Sequence, residues 1–103
     1  MQDETIKAPE NCGSMAELRM GIDALDTKLV TLLARRQLYI ERAAVLKQDR
    51  GAVRDDARIE EVIARVLAAA KEAGLSRAIA EPVWRTLIEA SIRHELQSFD
   101  KKR

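Results

Sequence analysis

The chain has little of what cross-links or interrupts a polypeptide. Its 103 residues hold one cysteine, Cys12, which excludes an internal disulfide framework and carries no metal-site spacing. Two prolines and four glycines leave few points at which a helix is forced to stop. One Trp, one Tyr and one Phe make a poor supply for a β core. The formal net charge is +1, so no global basic field draws nucleic acid or a membrane surface. No apolar run approaches the roughly 18 residues of a membrane span. No Gly-rich loop follows a strand, which argues against a nucleotide cofactor, and no Cys/His/Asp cluster suggests a metal. The opening residues MQDETIKAPEN lack the basic start and apolar run of a secretion signal, so the expected location is cytoplasmic.

What is present is helix-forming. Apolar residues make up 47% and charged ones 34%, rich in Ala, Leu, Glu, Arg and Lys, which suits an all-α fold. Residues 1–13 are polar and aperiodic and read as a tail with room to pack locally, ahead of one helical domain over 14–100. Ser14 and Glu17 form a capping box at the mouth of a very long first helix, from Met15 to about Gln48. Its stripe is Leu18, Ile22, Leu25, Leu29, Leu32, Ile40 and Ala43, at alternating steps of three and four. Such a helix is about 50 Å long at about 1.5 Å per residue. A globule of this size has a radius of gyration near about 13 Å, so the helix outreaches its own fold. A projecting apolar stripe needs a partner, and the expectation is an obligate homodimer.

Gly51 marks a turn, and Asp55 or Asp56 caps a second helix bearing Ile59, Val62, Ile63, Val66, Leu67 and Ala70. It stops at Gly74. Ser76 can start a third, with a kink or short turn expected before Glu81 because of Pro82. That helix carries Val83, Trp84, Leu87, Ile88, Ile92, Leu96 and Phe99, and the final FDKKR reads as a soluble tail. Trp84 and Tyr39 are expected to pack, and His94, the single histidine, to lie on the surface.

Polar residues on apolar faces are the informative ones, because burial without a partner is costly. At about 100° per residue, Arg36 returns to within about 20° of the Leu25 face, and Lys47 follows it. Arg58, Ser91 and Glu95 also face or flank a stripe. Internal salt bridges, for instance Lys47 with Glu95, are the plain explanation for any one of them. Taken together they leave a surplus of inward cations, which asks for an anion such as a dicarboxylate held by arginine forks. Arg19 and Lys47 of one straight helix are about 42 Å apart, so a small pocket using both needs two chains. Ser91 has no base in view and no glycine-flanked elbow, so it is not expected to act as a nucleophile.

These residues resemble the all-helical chorismate mutase family. The resemblance rests on LRMGIDALDTKLVTLLARRQLYI at 18–40, Lys47, VRDDARIE at 53–60 and LIEASIRHEL at 87–96. It implies a homodimer of interlocked three-helix chains that rearranges chorismate to prephenate, breaking a C–O bond as a C–C bond forms. That reaction needs no cofactor, metal or nucleophile; the protein folds the substrate and stabilises negative charge growing on the ether oxygen. By the resemblance, Arg19 of the opposite chain and Arg36 hold the two carboxylates. Lys47 donates to the ether oxygen and a carboxylate oxygen, and Arg58 steadies the ring side. Asp55 approaches the ring hydroxyl and Ser91 a carboxylate. Catalysis thus falls on Lys47, Glu95 and Arg58, and substrate binding on Arg19, Arg36, Asp55 and Ser91.

Two positions depart from the family pattern. Glu95 stands where many relatives carry glutamine, and a glutamate donates to the ether oxygen only when protonated; activity is expected to depend on pH through it. Ile59 stands where the typical mutase has a glutamate that grips the ring hydroxyl. That loss, and the segment KAPENCGSMAELR, also resemble the isochorismate–pyruvate lyases of salicylate synthesis, which share the fold. A mutase acting on 4-amino-4-deoxychorismate is a further alternative. From a different class, a non-catalytic helical dimer acting as a regulatory or assembly module stays open; Arg36 argues against it, since a plain coiled-coil seam has little use for a cation there.

Overall fold

The structure, a computed structural model, describes residues 6–103. Three α-helices dominate: α1 (Met15–Leu46), α2 (Asp56–Ala73) and α3 (Arg77–Lys101). Short 3-10 turns at Pro9–Asn11 and Arg50–Ala52 flank α1. The described residues contain no strand, so the chain is all-α, as its composition requires. They fall into two compact units that divide after Gln37, within α1.

In the first unit the residues before α1 are not a bare tail. Lys7 Nζ donates to Glu17 Oε2 at 2.7 Å, and the Gly13 N–H donates to Glu17 Oε1 at 2.7 Å. The Glu17 N–H in turn donates to Ser14 Oγ at 3.2 Å. Glu17 therefore serves a capping box whose return bond goes to Gly13, one residue earlier than the usual partner. Lys7 holds the Glu17 carboxyl below its ordinary value, and the Gly13 amide adds to that. Ile6 lies against Gly21, where an added Cβ would stand 3.5 Å from its Cγ2. Residues 1–5 of the expected tail lie outside the described residues. Along α1 this unit leaves its apolar side chains uncovered: Ile22, Leu25, Leu29 and Leu32 are exposed, Leu25 by 61%, and so are Met20, Val30 and Leu33.

The second unit, Leu38–Arg103, has a conventional core. Val53, Ile63, Ile88 and Ile92 are buried together, with Ile59, Val62, Leu67, Trp84 and Leu96 packed around them. The helices of this core begin and end where local chemistry dictates. Asp55 caps α2, accepting from the Arg58 N–H at 3.0 Å, and satisfies one of the orphan donors of the first turn. Gly74, at φ 78°, closes α2 in the left-handed region that suits glycine. Ser76 caps α3 through the Ala78 N–H.

Three expectations need correction in this unit. α3 runs unbroken through Pro82, with no separate turn before Glu81. Pro82 lies in the second helical turn, where its missing N–H deprives only the carbonyl of exposed Ala78. The C-terminal residues continue the helix to Lys101, and Phe99 is buried. Tyr39 does not pack but is 74% exposed. Ion pairs also join α2 to α3: Arg85 grips both oxygens of Glu60 at 3.0 and 3.1 Å and reaches Glu81, which Arg77 also holds.

Candidate active site

Five of the seven candidate residues lie in the second unit. α1 ends at Leu46, and the Lys47 N–H still makes the last helical bond, to Ala43 O at 3.0 Å. The side chain of Lys47 then reaches α3, where Nζ donates to Glu95 Oε2 at 2.8 Å. Glu95 is the one charged residue in the buried set, only 4% exposed, while Lys47 is half-buried. The internal salt bridge anticipated for this pair is therefore present. Glu95 is tolerated among Ile88, Ile92 and Phe99 because a cation meets it at hydrogen-bond distance. Ser91 precedes Glu95 by one helical turn on the same face and is half-buried.

The other two candidates of this unit sit at the start of α2 and are exposed. Asp55 Oδ1 is occupied as the helix cap. The guanidinium of Arg58 turns outward and donates to Glu61 Oε1 at 2.7 Å, one turn along the helix. Arg58 thus does not line the apolar face, because an i, i+3 partner on the outer surface holds it. With Lys47 neutralised by Glu95, the surplus of inward cations expected from the sequence is not found among the described residues of this unit.

Arg19 and Arg36 belong to the first unit. Arg19 is exposed and Arg36 half-buried. Burial pushes the Arg36 guanidinium below its ordinary value, yet a guanidinium stays a cation under these conditions.

Several neighbours of the site escaped the sequence reading. His94 is not a plain surface residue: its Nε2 lies 2.7 Å from Glu41 Oε2, joining α3 to the last part of α1. Arg54 pairs with Glu89 and, at 3.4 Å, with Asp56. Those carboxylates, Glu89 foremost, raise the Arg54 guanidinium above its ordinary value. Arg50 holds Asp100 through two bonds of 3.0 and 3.3 Å, and Arg103 donates to the carbonyl of Lys47 at 2.7 Å. The Arg77–Glu81–Arg85 ladder was legible as steps of four; apart from Arg54–Asp56, the others join residues distant in sequence and leave no local signature.

Chemically, this geometry offers an ammonium beside a carboxyl in a sheltered place. Among the described residues no group of three or more His, Cys, Asp or Glu could hold a metal, and no helix is long and apolar enough to cross a membrane.

The family model for chorismate mutase type II matches residues 18–96, and the chain belongs to that family. It is also similar to the isochorismate pyruvate lyase of Pseudomonas aeruginosa, with 26% identity over 98 residues, covering 95% of this chain and 97% of that protein. The family therefore comprises enzymes acting on a small chorismate-like substrate.

Proposed function

We infer that this chain is a chorismate mutase, converting chorismate to prephenate. The observation that carries the reading is Lys47 Nζ held 2.8 Å from buried Glu95, in a chain whose family match spans all seven candidate residues. Lys47 donates to the ether oxygen, where negative charge grows as the C–O bond lengthens; a donor already in place stabilises that charge without reorganising. Glu95 holds the Lys47 ammonium from its buried side. Arg19 and Arg36 hold the two carboxylates, Ser91 helps with one of them, Asp55 meets the ring hydroxyl and Arg58 steadies the ring side. Holding the extended side chain over the ring contributes as much as charge, since the reaction is unimolecular once the reactive conformer is selected.

The protein acts as a homodimer in which Arg19 serves the partner's site. The uncovered apolar residues of α1 support this, because exposed apolar patches mark association surfaces. A cytoplasmic location and a role in aromatic amino acid biosynthesis through the shikimate pathway accompany this reading.

A second reading, isochorismate–pyruvate lyase, is favoured by two observations. The Pseudomonas relative bears that name, and Ile59 puts an apolar side chain packed on the core where a mutase uses a carboxylate. Incubation with chorismate and, in parallel, isochorismate decides between them. Prephenate from chorismate establishes the mutase; pyruvate and salicylate from isochorismate establish the lyase. Turnover of neither, with no thermal stabilisation by a dicarboxylate analogue, leaves the non-catalytic dimer.

A further inference from the structure

The last residues of the chain grip the first residue beyond α1. α3 carries Phe99 into the interior, and the guanidinium of Arg103 lies over the Phe99 ring, 3.8 Å from its centroid. From that seat Arg103 Nη2 donates to the Lys47 carbonyl at 2.7 Å. Beside it, Asp100 takes both bonds from Arg50, at the start of the short turn that follows α1.

The physical logic is that of a helix end. The final carbonyls of a helix have no partner within it, and the Lys47 carbonyl stands just past the last residue of α1. A cation placed there supplies a donor and meets the negative end of the helix dipole. Stacking on Phe99 narrows the freedom of a long side chain and aims its planar fork. Lys47 is consequently held twice by the C-terminal part of the chain: its ammonium by Glu95 of α3 and its carbonyl by Arg103 just beyond that helix.

We propose that Arg103, seated on Phe99 and seconded by the Arg50–Asp100 clasp, is a positioning residue that aims the Lys47 ammonium during the reaction. The proposal rests on the reading in which Lys47 donates to the substrate's ether oxygen. Lysine has a flexible four-carbon stem, so the place where its backbone is anchored decides the arc its nitrogen sweeps. Arg103, Arg50 and Asp100 are all exposed, and exposed ion pairs add little to stability. Misplacing a donor by about 1 Å, by contrast, costs up to about a hundredfold in rate. Because the ether oxygen gains its charge only in the transition state, the loss falls on kcat more than on KM.

The test compares Arg103→Met, Arg103→Lys and Asp100→Asn with the unaltered full chain, by steady-state kinetics on whichever isomer it converts, with thermal denaturation alongside. Arg103→Met is expected to lower kcat about tenfold with KM changed less than about twofold and the melting temperature unmoved. Arg103→Lys, which keeps a cation and one donor, is expected to recover most of the loss, and Asp100→Asn to give a smaller fall of the same kind. An unchanged kcat in Arg103→Met overturns the positioning role alone, as does a loss that tracks the melting temperature. If the unaltered protein converts neither isomer, the enzymatic reading fails, and the positioning role with it.

Discussion

The two compact units of this chain differ in that only the second buries a cluster of apolar residues, although Leu38, Leu46, Ile79 and Val83 of that unit stand exposed as well. In Leu38–Arg103, isoleucines from α2 and α3 are buried around Val53, and buried Glu95 is paired with Lys47. In the unit ending at Gln37, four leucines, one isoleucine and a valine of α1 stand exposed, Val30 by 65%. The first arrangement is that of a core completed within one chain. The second is an apolar stripe without a buried cluster of its own, the surface that the proposed homodimer covers. The candidate residues divide along the same line: Arg19 and Arg36 lie with the uncovered side chains, whereas Lys47 and Glu95 lie with the buried ones.

The largest effect is expected where that stripe is spoiled. Leu25→Glu combined with Leu29→Glu is expected to convert a dimer into monomers by light scattering and to cut kcat/KM by more than about a hundredfold. A single mass for both proteins, with turnover intact, would break the contrast between the units.

An intermediate effect is expected inside the completed core. Ile88→Ala removes buried methylenes beside Ile63 and Ile92 and is expected to cost about 2–5 kcal/mol in chemical denaturation. A cost near that of a surface change would mean that this unit, too, relies on outside cover.

The smallest concerns the surface ladder between α2 and α3. Arg85 holds the Glu60 carboxyl below its ordinary value of 4.5, and Arg77, followed by Arg85, does the same for Glu81. Carboxyls lowered by folding contribute stability above their unfolded value, and that contribution disappears as the pH falls through the lowered one. The urea midpoint is therefore expected to fall between neutral pH and the region below 4.5, and to fall less in Arg85→Met. All of these groups are exposed enough for solvent to keep the effect small. Equal acid sensitivity in both proteins would assign the acid response to other carboxyls.

How far the sequence disclosed this structure depended on the range of the interaction. Helix ends set by neighbouring atoms were legible: Ser14, Asp55, Gly74 and Ser76 all cap or close a helix as their chemistry demands. The course of α3 through Pro82 was not, because whether a helix bears one missing bond depends on what the rest of it packs against. Within the candidate site, the Lys47–Glu95 pair was anticipated from two stripes brought together. The outward turn of Arg58 was not, since an apolar periodicity says nothing about a glutamate one turn away on the other face. Arg103 and His94 were read as terminal or surface residues for the same reason. Their partners, Lys47 and Glu41, lie about half a chain away and impose no local pattern.

The tight link at Gly74 has a kinetic consequence. With only Leu75 and Ser76 between Gly74 and α3, the α2–α3 hairpin closes a small loop and should assemble early, at a speed indifferent to protein concentration. In the proposed homodimer the exposed stretch of α1 is covered only on an encounter between molecules. Refolding should accordingly show a rapid first-order phase followed by a slower second-order one that quickens as the solution is made more concentrated.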